Sequence, residues 1–104
     1  MHYAYVYVSP YLLYTIPNNH SSMLTLYTKD YCPYCVMAKN LLTSIGATYQ
    51  EVDVTQNQDI LMDIVKKSGM RTVPQIFLGE ECLGGYSDIA ALHSEGKLVT
   101  KLGL

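Results

Sequence analysis

The sequence predicts an α/β domain built on a four-stranded mixed sheet with helices on both faces. Three observations predict it. From Met23 onward, short apolar runs alternate with apolar stripes at helical spacing. Two of those runs are joined through a helix, which makes their strands parallel. The last two runs are separated only by Gly79–Glu80, which makes them an antiparallel hairpin.

The elements follow in order. "MLTLYT" is a short apolar run suited to a buried strand. A helix follows, with Pro33 tolerated in its first turn. Ala38, Leu41, Leu42 and Ile45 fall at i, i+3, i+4 and i+7, and Gly46 ends it. "TYQEVDV" is a second strand, alternating Tyr49, Glu51 and Asp53 with Val52 and Val54. Asn57 or Thr55 caps a second helix striped by Ile60, Leu61, Ile64 and Val65, with Gly69 as its stop. "PQIFLGEECLG" makes the hairpin, a third helix spans about 87–95, and "KLVTKL" adds one further turn. With helices of this size on a sheet, both faces are covered.

Residues 1–22 differ from the rest. They hold five of the ten tyrosines and no Asp, Glu, Lys or Arg. "HYAYVYV" alternates like a strand, and Pro10, Pro17 and "NNHSS" read as turn and linker. The segment is either an edge strand or contact surface added to the domain, or an extension preceding it. The domain itself is assigned to 23–104.

Composition narrows the class. Net charge is −2 and no basic run exists, so a nucleic-acid partner is not expected. No stretch reaches the roughly 18–20 apolar residues of a membrane helix. The N-terminus lacks the charge and the unbroken apolar run of a secretory signal. Three cysteines are few and odd in number, which favours a reducing compartment, and a cytoplasmic location is expected.

The chemistry concentrates in "CPYC", Cys32 to Cys35, where the first strand meets the first helix. The thiolate is the reactive form of cysteine, and a helix start favours it through unpaired N–H groups and the helix dipole. Cys32 at the cap is expected to attack and Cys35, one turn inside, to resolve, with Lys29 adding positive charge nearby. A structural zinc site needs about four ligands; Cys82 stands alone, and His2, His20 and His93 show no ligand spacing, so no metal is expected. A permanent disulfide over so short a loop stabilises little. Redox use is the favoured reading.

Two further motifs carry weaker signals. In "RTVPQIF", Pro74 opens a strand. It is either an ordinary strand-initiating proline or a cis residue that brings the strand to Cys32 and exposes the backbone of Val73 for pairing with an extended peptide. In "GGYSD", paired glycines permit close approach, and Ser87 and Asp88 start a helix able to hold a carboxylate.

The three motifs, in this order and spacing, resemble the glutaredoxins of the dithiol class. The resemblance runs from about Met23 to the end of the chain. It implies a thioredoxin-like fold and a glutathione-disulfide oxidoreductase. It also implies glutathione as co-substrate with no permanently bound cofactor. Such proteins reduce glutathionylated proteins through the first cysteine alone and protein disulfides through both, ribonucleotide reductase among the implied partners. A monomer is expected. Carried over position by position, Cys32 matches the nucleophile and Cys35 the resolving thiol. Lys29 and Tyr34 match residues at the glycine end of glutathione. Thr72 and Val73 beside a cis Pro74 match its backbone clamp. Gly85, Ser87 and Asp88 match the γ-glutamyl site.

This chain also departs from the pattern. Leu61 is read as standing where relatives offer an amide or basic residue toward the glycine carboxylate, with Lys29 and Arg71 left for that role. Tyr86 stands where several relatives carry a cysteine. Cys82 reads as a small buried hydrophobe or a regulatory thiol. Two other functions stay in view. A thioredoxin-type reductant is opposed by Tyr31 in place of tryptophan before the motif. An iron–sulfur carrier bridged through Cys32 and glutathione is disfavoured by the stiffness of Pro33.

Overall fold

A computed structural model describes residues 5–7 and 23–104. Its four principal strands are β2 (Leu24–Thr28), β3 (Tyr49–Asp53), β4 (Gln75–Leu78) and β5 (Glu81–Gly84). β2 is parallel to β3 and antiparallel to β4, and β4 is antiparallel to β5. This is the predicted mixed sheet of a thioredoxin-like fold. A three-residue strand, β1 (Tyr5–Tyr7), adds antiparallel to the outer edge of β3, giving the order β1-β3-β2-β4-β5. The remaining expectations for residues 1–22 lie outside the described residues.

Among the described residues there are four helices: α1 (Pro33–Ser44), α2 (Gln58–Ser68), α3 (Tyr86–Ser94) and α4 (Leu98–Lys101). Their ends follow sequence chemistry. The Asn57 side chain caps α2 by accepting the Ile60 N–H at 3.1 Å. Gly69 closes that helix in the left-handed region, at φ 77°, where a side chain would be strained. The β4–β5 turn carries Gly79 at φ 61° in its first central position, as a two-residue hairpin of the II′ kind requires. The Gly79 N–H also donates to the Met23 carbonyl at 2.9 Å, tying the hairpin to the start of β2.

The sheet separates two apolar clusters. On one face Leu24, Leu26, Tyr49 and Ile76 pack against Ala38 and Leu42 of α1, Ile89 of α3 and Leu98 of α4. On the other, Val54 and Phe77 pack against Leu61 and Ile64 of α2. Tyr27 meets Phe77 edge to face there, ring centroids 5.6 Å apart. The alternation in β3 therefore does not separate an inner from a solvent face. Tyr49 is buried on the α1 face, while Val52 and Val54 serve the α2 face.

Leu61 requires a correction. It is only 8% exposed and belongs to the α2 cluster. Its stripe position turns it toward Phe77, so it is a core residue and not a surface position offered to a ligand. Cys82 is half-buried against the same cluster and its thiol is unpaired.

Candidate active site

β2 ends at Thr28, and Lys29, Asp30 and Tyr31 carry the chain to α1. Tyr31 is in the left-handed region at φ 53° with its ring fully in solvent. That turn swings Cys32 into extended backbone (φ −119°, ψ 99°) as the N-cap of α1. Pro33 occupies the first helical position, where its missing N–H costs nothing. The Cys32 sulfur accepts the Cys35 N–H at 3.1 Å, so a backbone donor of the first turn points at the sulfur. Cys32 is half-buried and Cys35 is 2% exposed. The two form a disulfide across a Cα–Cα separation of 5.2 Å.

The second motif meets the first at Val73. The Val73–Pro74 peptide bond is cis. The Val73 carbonyl oxygen lies 3.8 Å from the Cys32 sulfur, and the Val73 N–H has no acceptor among the described residues. Of the two readings of Pro74, the cis arrangement beside Cys32 is the one observed.

The third motif closes the other side. Gly85 is the N-cap of α3, and a Cβ built there would already touch the Pro74 carbonyl at 3.4 Å. Gly84, at φ 109°, lies so close to Asp88 that a Cβ would fall 2.6 Å from its carboxyl carbon. The Asp88 carboxylate in turn accepts the Gly85 N–H at 2.8 Å. The Tyr34 ring of α1 faces Tyr86 of α3, centroids 6.1 Å apart. Cys32, Val73 and Pro74, and Gly85 with Asp88, are thus linked through successive contacts. Ser87 is exposed in the first turn of α3, and its N–H has no acceptor among the described residues, whereas that of Asp88 donates to the Gly85 carbonyl at 3.2 Å. Lys29, Thr72 and Arg71 are exposed, and Lys29 and Arg71 form no ion pair among the described residues.

On the β3 side of the cysteines a cleft of about 540 Å³ is lined by Lys29, Cys32, Cys35, Lys39, Glu51 and Asp53. Sequence reasoning missed its polar base. Lys39 pairs with Glu51 at 3.1 Å, and the Thr28 hydroxyl donates to the same carboxylate at 2.8 Å. The signal was Lys39, one turn beyond Cys35 on the same helix face.

Asp53 shows the local electrostatics. Partial burial pushes its carboxyl up, but hydrogen bonds from Thr55 and at Asp30, with the charge of Lys39, outweigh this and hold it below the ordinary value. The Thr55 N–H donates to it at 2.8 Å. A carboxyl lowered in the folded chain stabilises above its unfolded value, about 3.9, and loses that contribution as pH falls through the folded value. Asp53→Asn is expected to be less stable than wild type at neutral pH. In denaturant titrations the difference should close at the acid end of the range.

A dithiol at the start of the first helix of a thioredoxin-like fold defines a thiol–disulfide oxidoreductase. Comparison with known proteins makes the assignment specific. The glutaredoxin family model matches residues 24–83. Glutaredoxin 3 of Escherichia coli K12 is 44% identical over 73 residues, covering 70% of this chain and 88% of that protein. A glutaredoxin of Solanum lycopersicum is 39% identical over 82 residues, 76% of each chain. The crystal structure of a buckwheat glutaredoxin–glutathione complex matches with a TM-score of 0.73 at 35% identity, covering 79% of this chain and 77% of that one. The chain belongs to the glutaredoxin family.

Proposed function

We propose that the chain is a glutathione-dependent oxidoreductase, reducing glutathione mixed disulfides through Cys32 and protein disulfides through Cys32 and Cys35. One observation carries the reading. The Val73 carbonyl stands beside the attacking sulfur, and the N–H of the same residue has no acceptor among the described residues, as pairing with an extended peptide such as glutathione would require.

The Cys32 thiolate attacks one sulfur of the substrate disulfide. A new S–S bond forms, the old one breaks, and the leaving thiolate takes a proton from water. On a glutathionylated protein the protein thiol leaves, and Cys32 holds glutathione. A second glutathione thiolate then displaces Cys32 and departs as glutathione disulfide. On a protein disulfide, Cys35 loses its proton, attacks the Cys32 sulfur and releases the substrate thiol. Two glutathione molecules later reduce the resulting Cys32–Cys35 disulfide.

Residue roles follow the chemistry of the tripeptide. Val73, with Thr72 and Pro74, pairs with the backbone of its central cysteine. The open N–H groups of the first turn of α3, at Ser87, suit the γ-glutamyl carboxylate. Asp88, positioned by Gly85, suits the ammonium beside it. Lys29 balances the glycine carboxylate, and the exposed Tyr34 ring covers that end. Glutathionylated and disulfide-containing proteins of the cytoplasm are the partners this reading supplies.

The direct test follows reduction of a glutathione mixed disulfide in the presence of glutathione and a system that consumes glutathione disulfide. Saturable turnover is expected. Turnover driven by dithiothreitol but never by glutathione would overturn the reading.

We further assign the working domain to 23–104. A chain beginning at Met23 should keep its turnover and its KM for glutathione, because every assigned residue lies from Lys29 onward. A large loss of turnover with the circular dichroism unchanged would show that the first 22 residues reach the site.

A further inference from the structure

Among the described residues two polar side chains are buried, Thr28 and Gln75. Thr28 has an evident partner in Glu51. Gln75 is 0% exposed and lies directly after Pro74, at the first position of β4. Its neighbours along that strand are apolar, and burying a carboxamide among them is costly unless it is hydrogen-bonded.

Its amide nitrogen uses both hydrogens. One goes to the Met70 carbonyl at 2.9 Å and the other to the Thr72 carbonyl at 3.0 Å. Carbonyls cannot donate, so these partners fix which end of the carboxamide is nitrogen. The other end, Oε1, is buried with no partner among the described residues. An unpaired buried acceptor costs about 1–3 kcal/mol. An aliphatic side chain of similar length would avoid that cost but would leave the Met70 and Thr72 carbonyls without these donors, so what the glutamine supplies here is the two bonds to the loop.

The two hydrogen bonds reach into the segment between α2 and β4, where Arg71 and Thr72 are exposed. They draw the carbonyls on either side of Arg71 inward. Thr72 immediately precedes Val73, whose backbone faces the Cys32 sulfur. We propose that Gln75 is a positioning residue: its carboxamide holds the 70–72 backbone so that Val73 is presented, already aligned, to the glutathione moiety. This rests on the reading of Val73 as the backbone that pairs with the tripeptide. The gain is pre-organisation, since a loop ordered before binding loses less freedom on binding.

Gln75→Met tests it. Methionine keeps the stem length and removes both donors and the unpartnered acceptor together. Gln75→Asn keeps a carboxamide that falls one carbon short. Leu24→Ala, in the cluster on the other face of the sheet and at the end of β2 away from Cys32, is the control for a merely structural loss. With the mixed disulfide of glutathione and a cysteine peptide, Gln75→Met is expected to raise KM about tenfold with kcat within about twofold of wild type. Gln75→Asn should fall between. Backbone order parameters at residues 70–73 should fall in both, with α1 unchanged. Leu24→Ala should lower stability and leave KM and the order parameters at 70–73 as they are.

Wild-type KM and wild-type order parameters at 70–73 in the Gln75 variants would overturn the proposal. So would equal changes in Leu24→Ala. Should Gln75→Met not fold, Gln75→Asn carries the same comparison. The order-parameter measurement needs no glutathione: if wild type fails to use glutathione, the proposed function falls and that measurement alone decides the role of Gln75.

Discussion

Cys32→Ser is expected to abolish reduction of both substrate types, while Cys35→Ser keeps one and loses the other. The reason is the unequal placement of the two sulfurs. Cys32 caps α1, half-buried, with its sulfur accepting a first-turn N–H. Cys35 is 2% exposed and can meet only a disulfide already formed on Cys32. A serine hydroxyl at position 32 is not ionised at neutral pH and cannot replace the thiolate. The fall in kcat/KM should be on the order of a thousandfold or more. Cys35→Ser should turn over glutathione mixed disulfides within about threefold of wild type, since the second glutathione resolves that intermediate. With a protein disulfide it should stall as a covalent complex through Cys32, visible as a mass increase that reductant reverses. An active Cys32→Ser, or a Cys35→Ser inactive on both substrates, would reverse or remove these assignments.

Gly84→Ala should have the second-largest effect, and for a different reason. Its φ of 109° disfavours any side chain, and the added Cβ would fall 2.7 Å from the Asp88 Cβ. Relief requires moving either the last residue of β5 or the first turn of α3. Strain of this kind costs roughly 1–3 kcal/mol. For a domain of this size that is a fall of roughly 5–20 °C in Tm. The same displacement breaks the bond from the Gly85 N–H to Asp88 and shifts the cap that adjoins Pro74. KM for the glutathione mixed disulfide should rise with the loss of stability, both read on the same sample. Gly46→Ala is the useful contrast. It too has positive φ, but nothing lies within 4 Å of its Cβ, and it follows the end of α1 opposite Cys32. It should lower Tm without a comparable change in KM.

What the sequence made legible was local. Pro33 at N1, Asn57 as a cap and Gly69 as a stop act over three or four residues, and each stands where short-range chemistry places it. The "CPYC" pair could be set at the strand–helix junction for the same reason. Long-range information was less accessible. Tyr49 is buried because α1 covers its face of β3, a fact about a helix earlier in the chain. By likeness Leu61 stands at a ligand-facing position, whereas the packing of α2 on Phe77 turns it inward. Residue physics leaves the isomer of the Val73–Pro74 bond open, since both forms open a strand. Gln75 carries no legible role in its motif, because its two acceptors, and the oxygen without a partner among the described residues, exist only once the 70–75 loop has closed.

Among the described residues the two faces of the sheet are filled unequally, and this bears on how readily each side opens. Nine buried residues form the cluster under α1, α3 and α4, against four under α2. Regions with fewer buried apolar contacts open at lower free energy on the hydrogen-exchange timescale. Lifting α2 therefore is the cheaper excursion, and α2 leads directly into the segment that ends at Val73. The dithiol is anchored to the more fully packed side, and Val73 beside it packs on the smaller cluster. Transient widening there would let a bulky protein disulfide reach Cys32 without disturbing the helix that tunes its sulfur.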